Sequence, residues 1–176
     1  IARIPVDPKM ARMLVEANRL GVLDDVTVIV AAMTIQDVRE RPLEYQAQAD
    51  QSHARFKDKE SDFLSSLKLW DYIGDSRDEL SGNAFRKRMK REFLHYMRIR
   101  EWFDLVRQLR DVERGLGWSR AENVAGERDA DAIHQSLLTG LLSNIGARDG
   151  NSKEFQGARG TRFMVFPGSS LSKKPP

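Results

Sequence analysis

Apolar and polar positions recur with a helical period along most of the chain, and capping residues, prolines and glycines divide the pattern into segments. The longest helix-compatible run is residues 85–114, FRKRMKREFLHYMRIREWFDLVRQLRDVER, which holds neither Gly nor Pro. With Tyr96 as the origin of a helical wheel, Ile99, Trp102, Phe103, Leu105, Val106, Leu109 and Val112 share one broad arc. That arc is wide enough to be gripped from two sides, so the pattern predicts a buried central helix. Arg100, Arg107 and Arg114, spaced by seven, lie on the opposite face. The run is expected to break near His95 and to end at Gly115 and Gly117.

The same procedure places the other elements. Pro5 and Pro8 push the residues before them into extended geometry, and Asp7-Pro8 then starts a helix with Asp as N-cap and Pro at the first position. Met10, Met13, Leu14, Ala17 and Leu20 form its apolar face, and Gly21 stops it. Asp24 or Asp25 caps a second segment, Val26 to Met33, apolar almost all round. Its β-branched residues also suit a strand, and periodicity alone leaves both readings open. Pro42 opens a polar helix running to about Phe56. Ser61 and Asp62 cap a fourth, with Phe63, Leu64, Leu67, Trp70 and Ile73 on its apolar face. Ser81 caps the start of the central run. Residues 118–128 read as a polar linker, followed by a last helix from about Asp131 to Leu142.

Beyond Gly146 the texture changes. Glycines stand at 150, 157 and 160, and Arg162-Phe163-Met164-Val165-Phe166 reads as a strand. Gly157 and Gly160 mark a turn before it, and Pro167-Gly168 closes it. The expected fold class is mainly α, a helical bundle followed by the first strands of a β domain.

Composition narrows the functional classes. The chain has 176 residues, 40% hydrophobic and 31% charged, so it forms a globular core. It has no cysteine, which excludes disulfide scaffolds, thiolate metal sites and Cys nucleophiles and is compatible with a cytoplasmic, reducing setting. No apolar run approaches the roughly 18 residues of a membrane span, so no membrane partner is expected. The chain opens at Ile1 and stops at Pro176 inside an unfinished element, and reads as part of something larger.

The net charge of +3 is unevenly spread. Residues 1–85 carry 11 basic and 15 acidic side chains, residues 86–114 ten and five, residues 115–144 two and four, and residues 145–176 six and two. Such segregation fits either a basic surface facing a polyanion or the ordinary solvation of a long helix, and charge alone leaves the two evenly matched. Arg86, Lys87, Arg88, Lys90 and Arg91 have only Glu92 nearby to neutralise them. Unpaired cations gain most from counterion release, which makes Arg86, Lys87, Lys90 and Arg91 the leading phosphate contacts. Arg100 and Arg107 are candidates too, although Asp104 and Asp111 at i+4 would tie them into an intrahelical ladder. Arg159, Arg162, Lys173 and Lys174 form a further candidate set. Tyr96 and Trp102 suit base stacking, but core packing is favoured for both.

Motifs for chemistry are missing. No G-x-x-x-x-G-K-[ST] occurs, and Gly157-Ala158-Arg159-Gly160 fits a hairpin turn better than a phosphate loop. His53, His95 and His134 lack metal-ligand spacing. Pro167-Gly168-Ser169-Ser170 lacks the second Gly of a nucleophile elbow. The expectation is no catalytic residue, metal or cofactor within the chain.

Four blocks, in order, resemble a known family. They are Ile4-Pro5-Val6-Asp7-Pro8-Lys9-Met10-Ala11-Arg12-Met13-Leu14; Ser61-Asp62-Phe63-Leu64 leading to Trp70; Phe93-Leu94 through Arg107-Gln108-Leu109; and Leu137-Leu138-Thr139-Gly140-Leu141-Leu142-Ser143-Asn144-Ile145-Gly146 continuing to Phe166-Pro167-Gly168-Ser169. Together they resemble the region C-terminal to the two RecA-like motor domains of DEAH-box RNA helicases, and the ending GARGTRFMVFPGSSLSKKPP is similar to bacterial HrpA-type members. The resemblance favours a helix for the run Val26–Val30, and it implies that residues 1–7 are the tail of a winged-helix domain. Residues 8–140 would be the helical ratchet, or helicase-associated, domain, and residues 141–176 the start of an OB-like fold. It implies ATP and Mg in the parent helicase, with single-stranded RNA and the RecA-like domains as partners. The alternative is a protein-interaction scaffold, docking on the motor domains or an activator without touching RNA.

Overall fold

The computed structural model describes residues 4–118, 127–142, 147–148, 154–156 and 162–164. The helices are α1 (Pro8–Leu20), α2 (Leu23–Thr34), α3 (Gln46–His53), α4 (Asp62–Glu79), α5 (Gly82–Arg91), α6 (Tyr96–Gly115) and α7 (Ala130–Leu142). Single 3-10 turns at Leu43–Tyr45 and Ala54–Phe56 flank α3, so the segment opened by Pro42 is three short pieces rather than one helix. Three short antiparallel strands follow, β1 (Ala147–Arg148), β2 (Glu154–Gln156) and β3 (Arg162–Met164), in the order β1-β2-β3. Arg148 pairs with Phe155, and Phe155 with Phe163. The strand expected at 162–166 is thus described as far as Met164. The turn at Gly157 and Gly160 and most of the linker at 118–128 lie outside the described residues.

The ambiguous run Val26–Val30 is helical, and it is the centre of the bundle. Every residue from Asp25 to Ala31 is buried, and α2 packs against α1, α4, α6 and α7. A half-buried strand would need only alternate positions covered, whereas here each turn meets a helix on every side. The centre was expected in the 85–114 run, and the structure corrects that. Helix α6 lies to one side of α2 and buries a narrower stripe, Ile99, Trp102, Val106, Leu109 and Glu113. The Trp102 indole N–H donates to the Val28 carbonyl at 3.1 Å, and Trp70 meets Trp102 and Phe103 edge-on, with centroids 4.9 and 5.0 Å away.

Most caps follow the sequence signals, but α2 starts at Leu23 with Val22 as its N-cap and no side-chain cap bond, so Asp24 and Asp25, expected as its cap, lie within its first turn. The Asp7 carboxylate accepts from the Met10 N–H at 3.0 Å, Pro8 opens the first turn, and Gly21 closes α1 at φ 78°. Ser61 caps α4 by accepting from the Leu64 N–H at 3.2 Å, and its hydroxyl lies 2.7 Å from Nε2 of His134 on α7. Asp129 caps α7 by accepting from the Ala132 N–H. Charged ties join the helices: Arg128 reaches Asp25 at 3.4 Å and Asp71 at 2.7 Å, and Arg110 reaches Asp24 at 3.3 Å. Burial raises the Asp25 pKa, and Arg128 opposes the shift.

Helices α1 and α7 cross at Gly140, where a Cβ would stand 2.4 Å from Cγ of Met13 and 2.5 Å from the Lys9 carbonyl oxygen. A backbone oxygen cannot be moved by a rotamer change, so the helices must separate to admit even one methyl group. Gly74, inside α4, has nothing within 4 Å of its Cβ direction. The two glycines should therefore respond oppositely. Gly140→Ala is expected to lower unfolding stability by about 1–3 kcal/mol through overpacking, and Gly74→Ala to raise it by up to about 1 kcal/mol through helix propensity. Urea unfolding followed by circular dichroism measures both.

Candidate nucleic-acid interface

The basic run does break near His95 as expected, between Arg91 and Tyr96. Phe93 adopts φ 58°, a left-handed conformation that costs a non-glycine residue roughly 1–2 kcal/mol. Leu94 is buried and forms an antiparallel bridge with Arg39. The Glu40 N–H donates to the Phe93 carbonyl at 2.8 Å, and the His95 N–H to the Val38 carbonyl at 2.7 Å. Nε2 of His53 lies 3.1 Å from the carbonyl oxygens of both Glu92 and Phe93, so this nitrogen carries the proton. Nδ1 of His95 instead accepts from the Arg98 N–H and caps α6. With bonds of about 1 kcal/mol each, this set outweighs the strain and fixes the direction in which α5 leaves α6.

Helix α5 starts at Ser81, whose hydroxyl accepts from the Ala84 N–H. Phe85 and Met89, four apart, are its buried positions. That orientation leaves Arg86, Lys87, Lys90 and Arg91 exposed. Glu92, the acid expected to neutralise them, is engaged elsewhere: it pairs with Arg55 at 3.0 Å and accepts from the Tyr72 hydroxyl. Arg88 turns toward Ser76 and Glu79 on α4. Among the described residues Lys87, Lys90 and Arg91 meet no carboxylate. Lys90 and Arg91, placed in the last turn of α5, also complement its dipole, so they stabilise the helix while remaining free to meet an anion.

Arg86 takes a different place. Its guanidinium carbon stands 4.4 Å from the centroid of the Tyr96 ring, a cation–π contact across the α5–α6 corner. This corner opens into a groove of about 450 Å³ lined by Arg77 and Leu80 from the end of α4, by Phe85 of α5, and by Arg100, Phe103 and Arg107 of α6 among others. Arg77 covers the Phe103 ring at 4.7 Å. The Tyr96 phenol is pushed below its usual range, first by hydrogen bonding to Arg86 and then by the charges of Arg86, Arg100 and Arg77. Hydroxyl and guanidinium groups therefore converge on one spot. Arg77 was absent from the sequence candidates because Asp75, Asp78 and Glu79 flank it and make its segment read as acidic. Nothing local betrays it; only the packing of α4 against α5 turns it into a basic groove.

The ladder on α6 has a different register from the one its spacing suggested. Arg107 pairs with Asp104 at 2.5 Å and Arg114 pairs with Asp111, each arginine reaching back three residues. Side chains on a helix lean toward its N-terminus, so a long arginine reaches the acid before it rather than the one four residues after it. The correction releases Arg100, which pairs with no acid among the described residues. Both pairs are exposed and contribute little to stability. Trp102 is buried and belongs to the core, whereas Tyr96 is half-exposed under Arg86. Arg162 lies in β3, and Arg159, Lys173 and Lys174 lie outside the described residues.

Comparison with known proteins gives a consistent picture. Residues 7–66 match the family described as helicase associated domain (HA2), ratchet-like. The whole chain is 47% identical to the ATP-dependent RNA helicase HrpA of Escherichia coli and 42% identical to the HrpA homolog of Haemophilus influenzae, spanning 13% of each. Over 85% of its length it is 26% identical to the pre-mRNA-splicing factor ATP-dependent RNA helicase prp22 of Schizosaccharomyces pombe, covering 12% of that protein. The chain therefore spans about an eighth of the length of these relatives.

The Arg86–Tyr96 contact can be read directly. A guanidinium beside a phenol favours the phenolate, so its removal should raise the Tyr96 pKa toward the ordinary tyrosine value. Arg86→Gln is expected to shift one of the three tyrosine titrations to higher pH, measured as phenolate absorbance on an alkaline series. An unchanged titration would show that the contact is not populated in solution.

Proposed function

We propose, on the premise that the chain belongs to the HrpA-type DEAH-box family as its helicase-associated region, that it holds and guides single-stranded RNA beside an ATP-driven motor. In this reading the parent protein is an ATP-dependent RNA helicase whose RecA-like domains bind ATP and Mg. The present chain contributes no phosphate loop and no catalytic group; it forms part of a channel wall. Residues 1–7 are the tail of a winged-helix domain, residues 8–140 the ratchet domain, and residues 141–176 the opening of an OB-like domain, with which the antiparallel β1–β3 are compatible.

The observation that carries the proposal is the exposed, acid-free stripe Lys87, Lys90 and Arg91 beside an arginine-lined groove. Cations held by a helix with no carboxylate partner bring their full counterion release to a polyanion. Phosphate contacts carry no base sequence, so the expected binding is weak, salt-sensitive and tolerant of sequence. Such binding suits a strand that must slide.

A second role, docking on the motor domains, is favoured by a different surface. Leu138, Leu141 and Leu142, at i, i+3 and i+4 near the end of α7, are 54%, 42% and 50% exposed. An apolar stripe of this kind is suited to burial against another part of the parent protein. The two roles are compatible, because a channel wall faces both strand and motor.

The roles separate by mutation. Reversing Lys87, Lys90 and Arg91 to Glu is expected to weaken binding of a labelled oligouridylate at low salt. It should also flatten the plot of log affinity against log salt by about 2, at roughly 0.7 per lost contact on a single strand. Fluorescence anisotropy across a salt series measures this. If the triple reversal leaves RNA affinity intact but weakens association with the RecA-like domains, the scaffold role replaces the RNA role.

A further inference from the structure

The groove at the α4–α5–α6 corner has more charge than the fold requires. Arg77 and Arg100 line it without a carboxylate partner among the described residues, and Arg86 stands at its rim over Tyr96. The acid in the groove, Asp104, is already taken by Arg107. Three guanidinium groups therefore gather at a groove that Tyr96 lines, with no carboxylate partner among the described residues. A cluster of like charges is destabilising on its own account, and the cation–π contacts of Arg77 with Phe103 and Arg86 with Tyr96 offset it only in part. Beneath it the floor is apolar and aromatic: Leu80, Phe85 and Phe103 line the groove, with Phe85 meeting Tyr96 at 6.1 Å between centroids. The volume, about 450 Å³, falls in the range of small-ligand sites.

Two chemistries are thus juxtaposed. Guanidinium groups at the rim match a phosphate geometrically and electrostatically, and flat rings and arginine planes beside them match a nucleobase. An acidic peptide would satisfy the charges but would leave the aromatic floor unused. An apolar peptide would do the reverse.

We propose that this groove is a nucleotide-binding slot, in which Arg77, Arg86 and Arg100 hold one backbone phosphate of a single strand and the adjoining base packs against Tyr96 and Phe103. The assignment rests on the RNA reading above and adds to it a site, a stoichiometry of one nucleotide, and a residue, Arg77, that lies outside the basic run. The strand enters from α5, where Lys90 lies one turn beyond Arg86 on the same face. The slot then marks the strand at a fixed point, while the α5 stripe holds it electrostatically.

The test uses the chain itself with a 5′-labelled oligouridylate, with uridine monophosphate and inorganic phosphate as competitors. Arg77→Gln with Arg100→Gln is expected to lower low-salt affinity several-fold and to flatten the salt slope by up to about 0.7, since the slot holds a single phosphate. Circular dichroism should be unchanged, since both arginines lie at the surface. An oligonucleotide bearing 4-thiouridine should photocross-link to the peptides carrying Tyr96 or Phe103, and the cross-link should disappear in the double variant. Unchanged affinity and cross-linking elsewhere would overturn the slot while leaving the RNA role standing. Failure of the wild-type chain to bind the strand at low salt would overturn both. If monophosphate or free phosphate displaced the strand at comparable concentration, the site would be one for a free phosphate compound, and the strand assignment would fall. If the double variant kept RNA but lost the RecA-like domains, the groove would be a protein contact instead.

Discussion

The burial of α2 is the constraint on which the rest of the bundle depends. A helix whose every residue from Asp25 to Ala31 is out of water must be covered all round, and this one is covered by α1, α4, α6 and α7. Its backbone is satisfied within the helix, as is the Thr27 hydroxyl by the Leu23 carbonyl at 2.7 Å, but two polar groups on it also meet side chains from outside. Thr27 lies 2.8 Å from the Glu113 carboxylate, and Asp25 meets Arg128. Those partners sit near the far end of α6 and just before α7, so the polar requirements of α2 fix the register of both. The cost of burying these groups is offset only if the surrounding helices arrive in the right places. Gly140 serves the same end, since it brings α7 against α1 at backbone distance.

Once α6 is held on α2, the corner at residues 92–95 decides where the basic surface points. Phe93 accepts a left-handed backbone because Leu94 is buried, the bridge to Arg39 is made, and Ser52 and His53 bond the carbonyls of Glu92 and Phe93. No residue in the corner is one that favours such a turn by itself. Tertiary bonds impose it, and the outcome is that the exposed face of α5 and the exposed face of α6 flank one groove with the end of α4. Strain held this way at the edge of a charged groove gives that edge a fixed shape.

Much of this was legible in the sequence, for physical reasons that differ between elements. Asp7-Pro8, Ser61 and Gly21 announce their helices because a cap is a local matter of one side chain and the nearest N–H groups. The break near His95 and the last helix, from about Asp131 to Leu142, were also expected from the sequence. Three things were not. The strand-like Val26–Val30 is helical because helices surround it, which no local propensity records and which only the family resemblance favoured. The centre passed from α6 to α2 because an apolar arc shows how much of a helix can be buried and not how much is. The arginine register on α6 differed because spacing ignores the lean of side chains toward the helix N-terminus.

The candidate surface shows the same division. The exposed cations Lys87, Lys90 and Arg91 were legible, since Phe85 and Met89 on one face leave them the other. Arg77 was not, because it stands among acids in the sequence and joins Arg86 and Arg100 only through packing. Its absence from any basic run has a consequence for how such surfaces work. A run of cations along one helix is a diffuse charge that a strand can meet in many registers. A cluster drawn from three helices has one geometry, and only a ligand with one charge and one flat group in the right relation fills it. In this protein the two lie side by side, and under the proposed reading the α5 stripe would supply attraction without position, and the corner position at the expense of bringing like charges together. A wall that lets a strand move and also registers it needs both, and the α5–α6 corner is the feature of the fold that sets them next to each other.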